Sequence, residues 1–479
     1  MALPEFIEIV PLDHPVRAEI TVPGSKSITN RALILAALAD DQVTLQGALW
    51  SEDTQVMTGA LQQLGFEIKV EPDPDEFCNR TITVKGLGGK TPKGGTEREP
   101  LELFVGNAGT AARFLAAFVC LGNGVYRLHG APRMHERPQA ALFKALRELG
   151  YRVEAEKGND RLPAKIFGSA ECGVRSAECT VSIEESSQFA SALMLCAKAG
   201  GWKIEVVGEN AEESPYVAMT SKMIEAFPHR GGKFQIEPDA SSASYFWGAN
   251  WLVSVASWMA VFLESTPYLD IQARFHEVWK WVKASHPPRE PKLVTGDQLA
   301  MSVCHWPSSG WQIDGDFPLF IPLPDKISRE GQLGDSIMTA AVLGAHLWGG
   351  VGFERREKGI RFTELQRLRL QECDRVAALR TELSKCGAEV VEEGDTLTVY
   401  PSKLHGAEIE TYNDHRMAMC FAVLGLKVPG IKIKNPACVK KTFPNFFQKF
   451  ATPPPKGLGA TILDAKSGRK LAVEELFAE

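Results

Sequence analysis

The sequence has no excess of basic residues. Its 479 residues include 53 lysines and arginines against 59 aspartates and glutamates, so the formal net charge is −6. Nucleic-acid-binding proteins usually carry a basic excess or a basic stripe, and neither occurs here. We therefore predict no nucleic-acid partner. A local cluster of positive side chains has to hold any anionic ligand.

The ten cysteines lack the spacing of a metal site. No two form a Cys-x-x-Cys pair, and the closest two, Cys172 and Cys179, do not have metal-ligand spacing. Scattered thiols of this kind are typical of reduced cysteines in a cytosolic protein, with a disulfide framework as the alternative. Since no His/Cys/Asp cluster has ligand spacing either, we expect no metal and no cofactor.

The sequence also lacks targeting and membrane segments. Its first residues, MALPEFIEIVPLDHP, have neither a basic n-region nor an apolar core, so they predict no signal peptide. The most apolar stretch, residues 247–263, contains Asn250 and serines and is slightly short for a membrane span. We interpret it as a buried helix, and we expect a cytoplasmic protein with no membrane partner.

One pattern recurs along the chain: a cluster of small and polar residues opens directly into an apolar, helix-like run. Serine, asparagine and aspartate oxygens in such a cluster can satisfy the free N–H groups of a first helical turn. Capping residues begin most helices, so coincidence is the alternative to a repeat. The six copies start at Gly24, Gly106, Ser186, Asp239, Gly334 and Tyr412.

A second element lies between some of these copies. Three helical patterns end at Gly65, Gly150 and Gly387, and each is followed by an alternating strand pattern. The chain is too long for one hydrophobic core, so six such units in two groups of three would form two similar α/β domains. Converging helix N-termini would then form an anion site.

Several basic residues lie in surroundings that are not typical of a solvated surface. GSKS at 24–27 is not a phosphate-binding P-loop, because Ser25 precedes the lysine, yet Lys26, Ser27 and Arg31 share one helix start. Arg416 is followed by MAMCFAVLGL, where a buried arginine needs a partner or an anion. Similar clusters occur in RMHERP, QECDR and VKKTFP, and a solvated charged face is the alternative for each.

Nine blocks resemble, in order, the signature blocks of 5-enolpyruvylshikimate-3-phosphate (EPSP) synthases. The resemblance implies two α/β domains, each of three repeated βαβαββ-type units in an inside-out barrel, with the active site in the interdomain cleft. The first implied domain is 25–238. The second combines 1–24 with 239–450, and 451–479 remain as a C-terminal extension of unknown role. The blocks are VPGSKSITNRALILAALA, GNAGTAARFL, PRMHERP, SSQFASALM, PDASSASYF, GDSIMTAA, ECDR, TYNDHRMAM and KKTFPNFF.

The resemblance implies transfer of the enolpyruvyl group of phosphoenolpyruvate to the 5-hydroxyl of shikimate-3-phosphate, by a monomer that needs no metal. Asp335 and Glu372 are implied as the acid/base pair, with Lys26 assisting, and Gly109 implies room for a glyphosate-type inhibitor. The implied shikimate-3-phosphate residues are Lys26, Ser27, Arg31, Ser186, Ser187, Gln188, Tyr216, Asp335 and Gln371. The implied phosphoenolpyruvate residues are Lys26, Asn107, Gly109, Arg137, Gln188, Arg375, Arg416 and Lys441.

Four positions depart from the family pattern. Gln371 replaces a lysine, Arg367 an asparagine, and Phe114 a proline. Glu213 replaces a serine, and a carboxylate facing the phosphate would repel it, so we expect a local shift that brings Ser214 into the site. These departures put the shikimate side in more doubt than the phosphoenolpyruvate side.

Two other functions stay open. The related UDP-N-acetylglucosamine enolpyruvyl transferases share the implied fold but lack the SSQF, NDHRMAM and KTFP blocks in this form, and they carry a cysteine where RMHERP has none. The other alternative is a binding relative that has lost turnover. Gln371 and Glu213 favour it, whereas Lys26, Asp335 and Glu372 oppose it.

Overall fold

The computed structural model describes residues 3–90, 93–169, 177–208, 214–265, 301–346 and 358–479. Across these residues the helices are α1 (Lys26–Leu38), α2 (Glu52–Gln63), α3 (Gly109–Phe118), α4 (Ala140–Glu148), α5 (Gln188–Gly200), α6 (Pro215–Ala226), α7 (Ala240–Ser265), α8 (Ile337–Gly344), α9 (Arg375–Lys385), α10 (His415–Gly425) and α11 (Phe446–Ala451). Short 3-10 helices cover Val119–Leu121, Pro132–His135, Ile313–Phe320, Gln366–Leu370, Pro436–Lys441 and Val473–Leu476.

The strands are short and spread along the whole chain. They are β1 (Phe6–Ile9), β2 (Ala18–Ile20), β3 (Gln42–Leu49), β4 (Ile68–Pro72), β5 (Asn79–Lys85), β6 (Leu101–Phe104), β7 (Val125–His129), β8 (Val153–Ala155), β9 (Ala164–Phe167), β10 (Glu178–Ser182), β11 (Lys203–Val207), β12 (Gly232–Gln235), β13 (Met301–Val303), β14 (Lys326–Ser328), β15 (Ile360–Thr363), β16 (Glu389–Glu393), β17 (Thr396–Tyr400), β18 (Glu408–Ile409), β19 (Ile431–Lys434) and β20 (Ile462–Asp464).

Four sheets of four strands share one design. Each has a parallel pair at one edge, followed by two antiparallel pairings. Two further sheets, β10-β11 and β13-β2, consist of a parallel pair alone in the described part of the chain. The four larger sheets have the orders β12-β3-β5-β4, β6-β7-β9-β8, β14-β15-β17-β16 and β18-β19-β1-β20. The prediction of a repeated α/β unit is confirmed.

The buried apolar side chains form two clusters. One takes its members from between Ile28 and Ile236, and the other from between Leu3 and Val22 and between Ala243 and Ala478. The N-terminal strand β1 belongs to the second cluster because it pairs with β19 and β20. The domain boundaries at 25–238 and 239–450 stay a prediction, which this separation of cores supports.

The predicted helix starts are confirmed, but only some of the predicted side-chain caps form. Backbone N–H groups at three of the starts donate to side chains: Arg416 to Asp414 at 2.8 Å, Ser242 to Asp239 at 3.1 Å and Gln188 to Ser186 at 3.2 Å. The residues directly before α1, α3, α5 and α8, which are Ser25, Ala108, Ser187 and Ser336, make no side-chain capping bond. These four helix N-termini therefore retain N–H groups that a ligand or solvent can satisfy.

The glycine-ended helices are also confirmed. Gly65, Gly150 and Gly387 have φ angles of 96°, 88° and 89°, and they join α2 to β4, α4 to β8 and α9 to β16. An L side chain rarely adopts such angles, so glycine allows the chain to reverse there at little cost.

The predicted extension is part of the fold. Residues of segment 451–479 form β20, whose Ile462 pairs with Ile9 of β1. Leu458, Leu471 and Leu476 are at most 3% exposed and lie in the second core. A strand partner and buried leucines make this segment structural.

Residues 247–263 lie in helix α7, as predicted, although part of the tryptophan-rich stretch that follows lies outside the described residues. In the described part of the chain, no helix is long and apolar enough to cross a membrane. All nine cysteines that the structure describes are free.

Candidate active site

A cavity of about 240 Å³ is lined by residues from both cores and by the starts of several helices. It gathers most of the residues that the family resemblance implies. Asn107, Gly109 and Lys441 do not line it but contact residues that do. The implied residues on its wall are Lys26, Ser27, Arg31, Arg137, Ser186, Ser187, Gln188, Tyr216, Asp335, Gln371, Glu372, Arg375 and Arg416.

Arg31 is a buried cation with neutral partners. Its guanidinium donates to Thr220 Oγ1 at 2.8 Å, to Ser191 Oγ at 3.0 Å and to the Ser27 carbonyl at 2.9 Å. Burial lowers the pKa of Arg31 to about 10. Among the described residues no carboxylate forms an ion pair with it, so its charge is available to an anionic ligand.

The start of α5 adds unsatisfied polar atoms to the same region. Ser186 Oγ accepts from the Gln188 N–H at 3.2 Å, while Ser187 does not cap the helix. Gln188 Oε1 and Ser214 Oγ are buried without a hydrogen-bond partner. Buried polar atoms of this kind are costly unless a ligand or water pairs with them. They face the cavity beside Tyr216.

Two arginines without carboxylate partners form the wall near α3. Arg137 donates to the Asn107 carbonyl at 3.0 Å, and Arg113 donates to the Gly109 and Pro138 carbonyls at 3.2 Å and 2.9 Å. Burial and the nearby Arg137 lower the pKa of Arg113 well below its usual range. A second cationic site suited to an anion therefore lies at the start of α3.

Gly109 lets these arginines approach the helix start. A Cβ at this position would lie 2.6 Å from Arg137 Nη2 and 2.8 Å from Arg113 Nη1. Lys441 comes from the other core and donates to the Asn107 carbonyl at 3.0 Å, while its Nζ also lies 2.9 Å from Glu372 Oε1. Lys26 pairs with the buried Asp53 at 3.1 Å.

Arg375 connects the carboxylates on the opposite wall. Its Nε donates to Asp414 Oδ2 at 2.7 Å, its Nη2 to Glu372 Oε2 at 2.8 Å, and its Nη1 to Asp335 Oδ2 at 3.3 Å. Arg416 Nε also lies 3.3 Å from Asp335 Oδ2. The two carboxylates of the predicted acid/base pair thus contact different nitrogens of one guanidinium.

The surrounding cations keep both carboxylates ionised. Burial would raise the pKa of Asp335, but Arg416, Arg329 and Arg375 together hold it well below its usual range. Burial likewise opposes ionisation of Glu372, yet Lys441, Arg375 and Arg137 hold its pKa well below the usual value. Both groups can accept a proton before they can donate one.

Sequence reasoning missed four residues that line the cavity. Arg113 and His415 lie inside family blocks, so their blocks are the signal that could have identified them. His415 is buried, and no described residue forms a hydrogen bond with either of its ring nitrogens. Burial together with Lys26 lowers its pKa well below its usual range. Asp314 and Arg329 lie outside those blocks, and no local pattern marks them.

The departures have visible contacts. Gln371 Oε1 accepts from Arg375 Nη1, and Arg367 Nε donates to the Glu184 carbonyl at 3.1 Å. Phe114 is fully buried, with Arg31 over its ring at 5.3 Å from the centroid. Glu213 lies outside the described residues, whereas Ser214 lines the cavity.

Known proteins resemble this chain over nearly all of its length. A curated 3-phosphoshikimate 1-carboxyvinyltransferase from Opitutus terrae is 34% identical and covers 94% of this chain and 98% of its own. One from Vibrio cholerae is 34% identical, with 93% and 99% covered.

Solved structures share the fold at low identity. An EPSP synthase from Acinetobacter baumannii has a TM-score of 0.57 and 20% identity, covering 92% of this chain and 96% of its own. The enolpyruvyl transferase NikO from Streptomyces tendae has a TM-score of 0.60 and 15% identity, covering 98% and 99%. The sequence model described as EPSP synthase (3-phosphoshikimate 1-carboxyvinyltransferase) matches residues 12–230 and 332–450, and the chain therefore belongs to the EPSP synthase family.

Proposed function

We propose that the protein transfers the enolpyruvyl group of phosphoenolpyruvate to the 5-hydroxyl of shikimate-3-phosphate and releases phosphate, in the pathway that leads to chorismate. The proposal rests on the contacts of Arg375 within a cationic cleft. Its Nη1 lies 3.3 Å from Asp335 Oδ2, and its Nη2 lies 2.8 Å from Glu372 Oε2. The reaction needs two proton-transfer groups, one on each side of the reacting carbon, and positive groups for its anions.

The substrate sites follow from the unpaired cations. Arg31, with Ser27, Ser186, Ser187 and Tyr216 nearby, takes the 3-phosphate of the acceptor. Arg137, together with the start of α3, takes phosphoenolpyruvate, whose carboxylate and phosphate match guanidinium forks. The remaining implied contacts are Lys26, Asn107, Gly109, Gln188, Arg375, Arg416 and Lys441 for phosphoenolpyruvate and Lys26, Gln188, Asp335 and Gln371 for the acceptor.

In the addition step the 5-oxygen bonds to C2 of phosphoenolpyruvate while its proton passes to Asp335. C3 takes a proton from Glu372, which gives a methyl group and a tetrahedral ketal phosphate. Glu372 takes up this proton from solvent when the substrate anions pair with Lys441 and Arg137, because those cations then favour its charged form less.

In the elimination step the Glu372 carboxylate removes a proton from the methyl group. The bond between C2 and the phosphate oxygen breaks, and the proton held by Asp335 leaves with the phosphate. Lys26 stabilises the charge that develops between the two ligands. We place this chemistry in a cytoplasmic monomer that acts on small molecules only, with its free cysteines in keeping with a reducing compartment.

A phosphate-release assay tests the proposal. Phosphoenolpyruvate is supplied with either shikimate-3-phosphate or UDP-N-acetylglucosamine as acceptor. We expect release with shikimate-3-phosphate only, and a loss of about 10²–10⁴-fold in Asp335→Asn and in Glu372→Gln. Glu408→Gln, which changes an exposed carboxylate of β18, serves as the control. Release with the sugar nucleotide alone, or with neither acceptor, would contradict the proposal.

A further inference from the structure

Arg329 is a buried arginine that the family blocks do not include. It follows β14 and lies in the segment between residues 230 and 332, which the family model leaves unmatched. Its side chain is 6% exposed and lines the same cavity as Asp335. A buried guanidinium on a cleft wall is costly unless it pairs with carboxylates or ligands.

The contacts of Arg329 satisfy only some of the hydrogen-bond donors of its guanidinium. Nη2 donates to Asp335 Oδ1 at 2.7 Å, which is its one ion pair among the described residues. Its Nε is buried and has no hydrogen-bond partner among the residues that the structure describes. Arg375 and Arg416 both lie 3.3 Å from the other oxygen of Asp335, so within this part of the chain Arg329 is the residue that orients Oδ1.

The neighbouring residues on this wall cannot take its place. Gln371 carries no charge, and its Oε1 already accepts from Arg375. Arg367 is held by the Glu184 carbonyl at 3.1 Å and by Glu330 at 3.4 Å. Among these three residues, Arg329 is therefore the one that supplies a cation to Asp335, the carboxylate that receives the acceptor's proton.

We propose that Arg329 is a substrate-binding and positioning residue for the acceptor: it donates to the acceptor's ring hydroxyls and fixes the carboxylate of Asp335. This inference rests on the proposed function. It identifies a cation on the shikimate side that lies outside the segments matched by the family model, where the family pattern implies a lysine at position 371. A guanidinium suits the role because it can donate to a carboxylate and to a hydroxyl at once.

Calorimetric binding of shikimate-3-phosphate and steady-state kinetics test this role. Since hydrogen bonds to charged groups are worth about 1.5–3 kcal/mol, Arg329→Gln should weaken acceptor binding by about 10- to 100-fold. The KM for phosphoenolpyruvate should change less than threefold. The acid limb of the kcat/KM profile should move to higher pH, because a cation that favours the charged form of Asp335 is gone.

Two further variants test whether the charge itself is needed. Arg329→Lys should retain the acid limb but only part of the acceptor affinity. The double variant Arg329→Gln/Gln371→Lys should recover at least tenfold of the lost kcat/KM, because it restores a cation on the same wall. Arg369→Gln is the matched control, since Arg369 pairs with Asp374 and Glu392 and does not line the cavity.

If Arg329→Gln folds and keeps both its affinity for shikimate-3-phosphate and its acid limb, the inference is overturned. Equal losses of affinity for both substrates, without a shift of the acid limb, would overturn it as well. Melting temperatures identify variants that fail to fold, and if Arg329→Gln is one of them, Arg329→Lys decides by acceptor affinity alone: an unchanged affinity for shikimate-3-phosphate would then overturn the inference. If the wild type binds shikimate-3-phosphate but releases no phosphate, the proposed reaction fails while the binding role of Arg329 is still measured. If the wild type does not bind it, both proposals fail.

Discussion

At the scale of single residues, the buried arginines of the cleft are of two kinds. Those on the first core donate only to neutral oxygens among the described residues, whereas those on the second core contact carboxylates. The first kind is suited to substrate anions, and the second kind keeps the proton-transfer groups ionised. The first group is Arg31, Arg113 and Arg137, and the second is Arg329, Arg375 and Arg416.

Arg31→Met should separate stability from binding. It removes a buried charge that has no carboxylate partner, so the ligand-free protein should melt at the same or a higher temperature. A ligand at 100 times its Kd stabilises a folded protein by about 2.7 kcal/mol. Shikimate-3-phosphate should stabilise the wild type in this way but not the Arg31→Met variant. Thermal unfolding with and without the ligand measures both. Arg380→Met, on a half-exposed part of α9, should retain the full shift, and retention in Arg31→Met would contradict the assignment.

Asp314 gives a stability that depends on pH. Its carboxylate is buried and accepts from the Ser336 N–H at 2.7 Å, and burial raises its pKa to about 6. The folded state therefore prefers the protonated form, so the cost of this group is largest above pH 6 and disappears as the pH falls toward 4.

Asp314→Asn should remove that cost while its amide oxygen continues to accept from Ser336. We expect the free energy of unfolding to rise by roughly 1–3 kcal/mol at pH 7.5, and by much less at pH 4.5. Denaturant unfolding at the two pH values measures the difference. Asp40→Asn, at an exposed site, should show no such trend, and a gain that grows toward low pH would count against the burial argument.

At the scale of secondary-structure elements, the residues directly before α1, α3, α5 and α8 make no side-chain capping bond, and these helix starts lie near the cleft. The sequence predicts where these helices begin, because small polar residues followed by an apolar run are a local signal. It does not predict that the side chains directly before these helices leave the first-turn N–H groups without a capping bond. That outcome depends on what faces each helix start across the cleft.

Gly109→Ala tests the start of α3. The added methyl group would meet Arg137 and Arg113, so Arg137 has to move from the phosphoenolpyruvate site. Displacement of a positioning group by about 1 Å can cost about 10²-fold, so KM for phosphoenolpyruvate should rise by about 10- to 100-fold. Inhibition by glyphosate should weaken more than substrate binding. Gly59→Ala on α2, where an added Cβ meets nothing within 4 Å, is the matched control. Equal losses for substrate and inhibitor would exclude selective crowding.

At the scale of the whole molecule, the two ends of the chain meet in one sheet. Ile9 near the N-terminus pairs with Ile431 in β19 and with Ile462 in β20. Lys449 and Asn445 of the second core also bind Glu76, which comes from the first part of the chain, at 2.7 Å and 2.8 Å. Contacts between residues far apart in the sequence thus join the two ends of the chain and connect its first part to the second core.

Removal of residues 456–479 should destabilise the protein by several kcal/mol. The deletion takes away β20 and the buried side chains of Leu458, Ile462, Leu471 and Leu476, each worth about 1.5–3 kcal/mol when fully buried. Total stabilities are about 5–15 kcal/mol, so we expect low soluble yield or a much lower Tm. Deletion of the exposed Glu479 alone is the control. A truncated protein with an unchanged Tm would show that the segment is dispensable.

The sequence by itself determined the helix starts, the glycine turns after α2, α4 and α9, and the main chemical groups of the cleft. These features depend on residues a few positions apart, or on blocks that the family shares. Only the tertiary structure decided that Arg375 contacts both Asp335 and Glu372, that Arg329 pairs with Asp335, and that residue 462 pairs with residue 9. The charge partners of a buried arginine and the neighbours of an edge strand are set by packing between distant segments, and no local pattern records them.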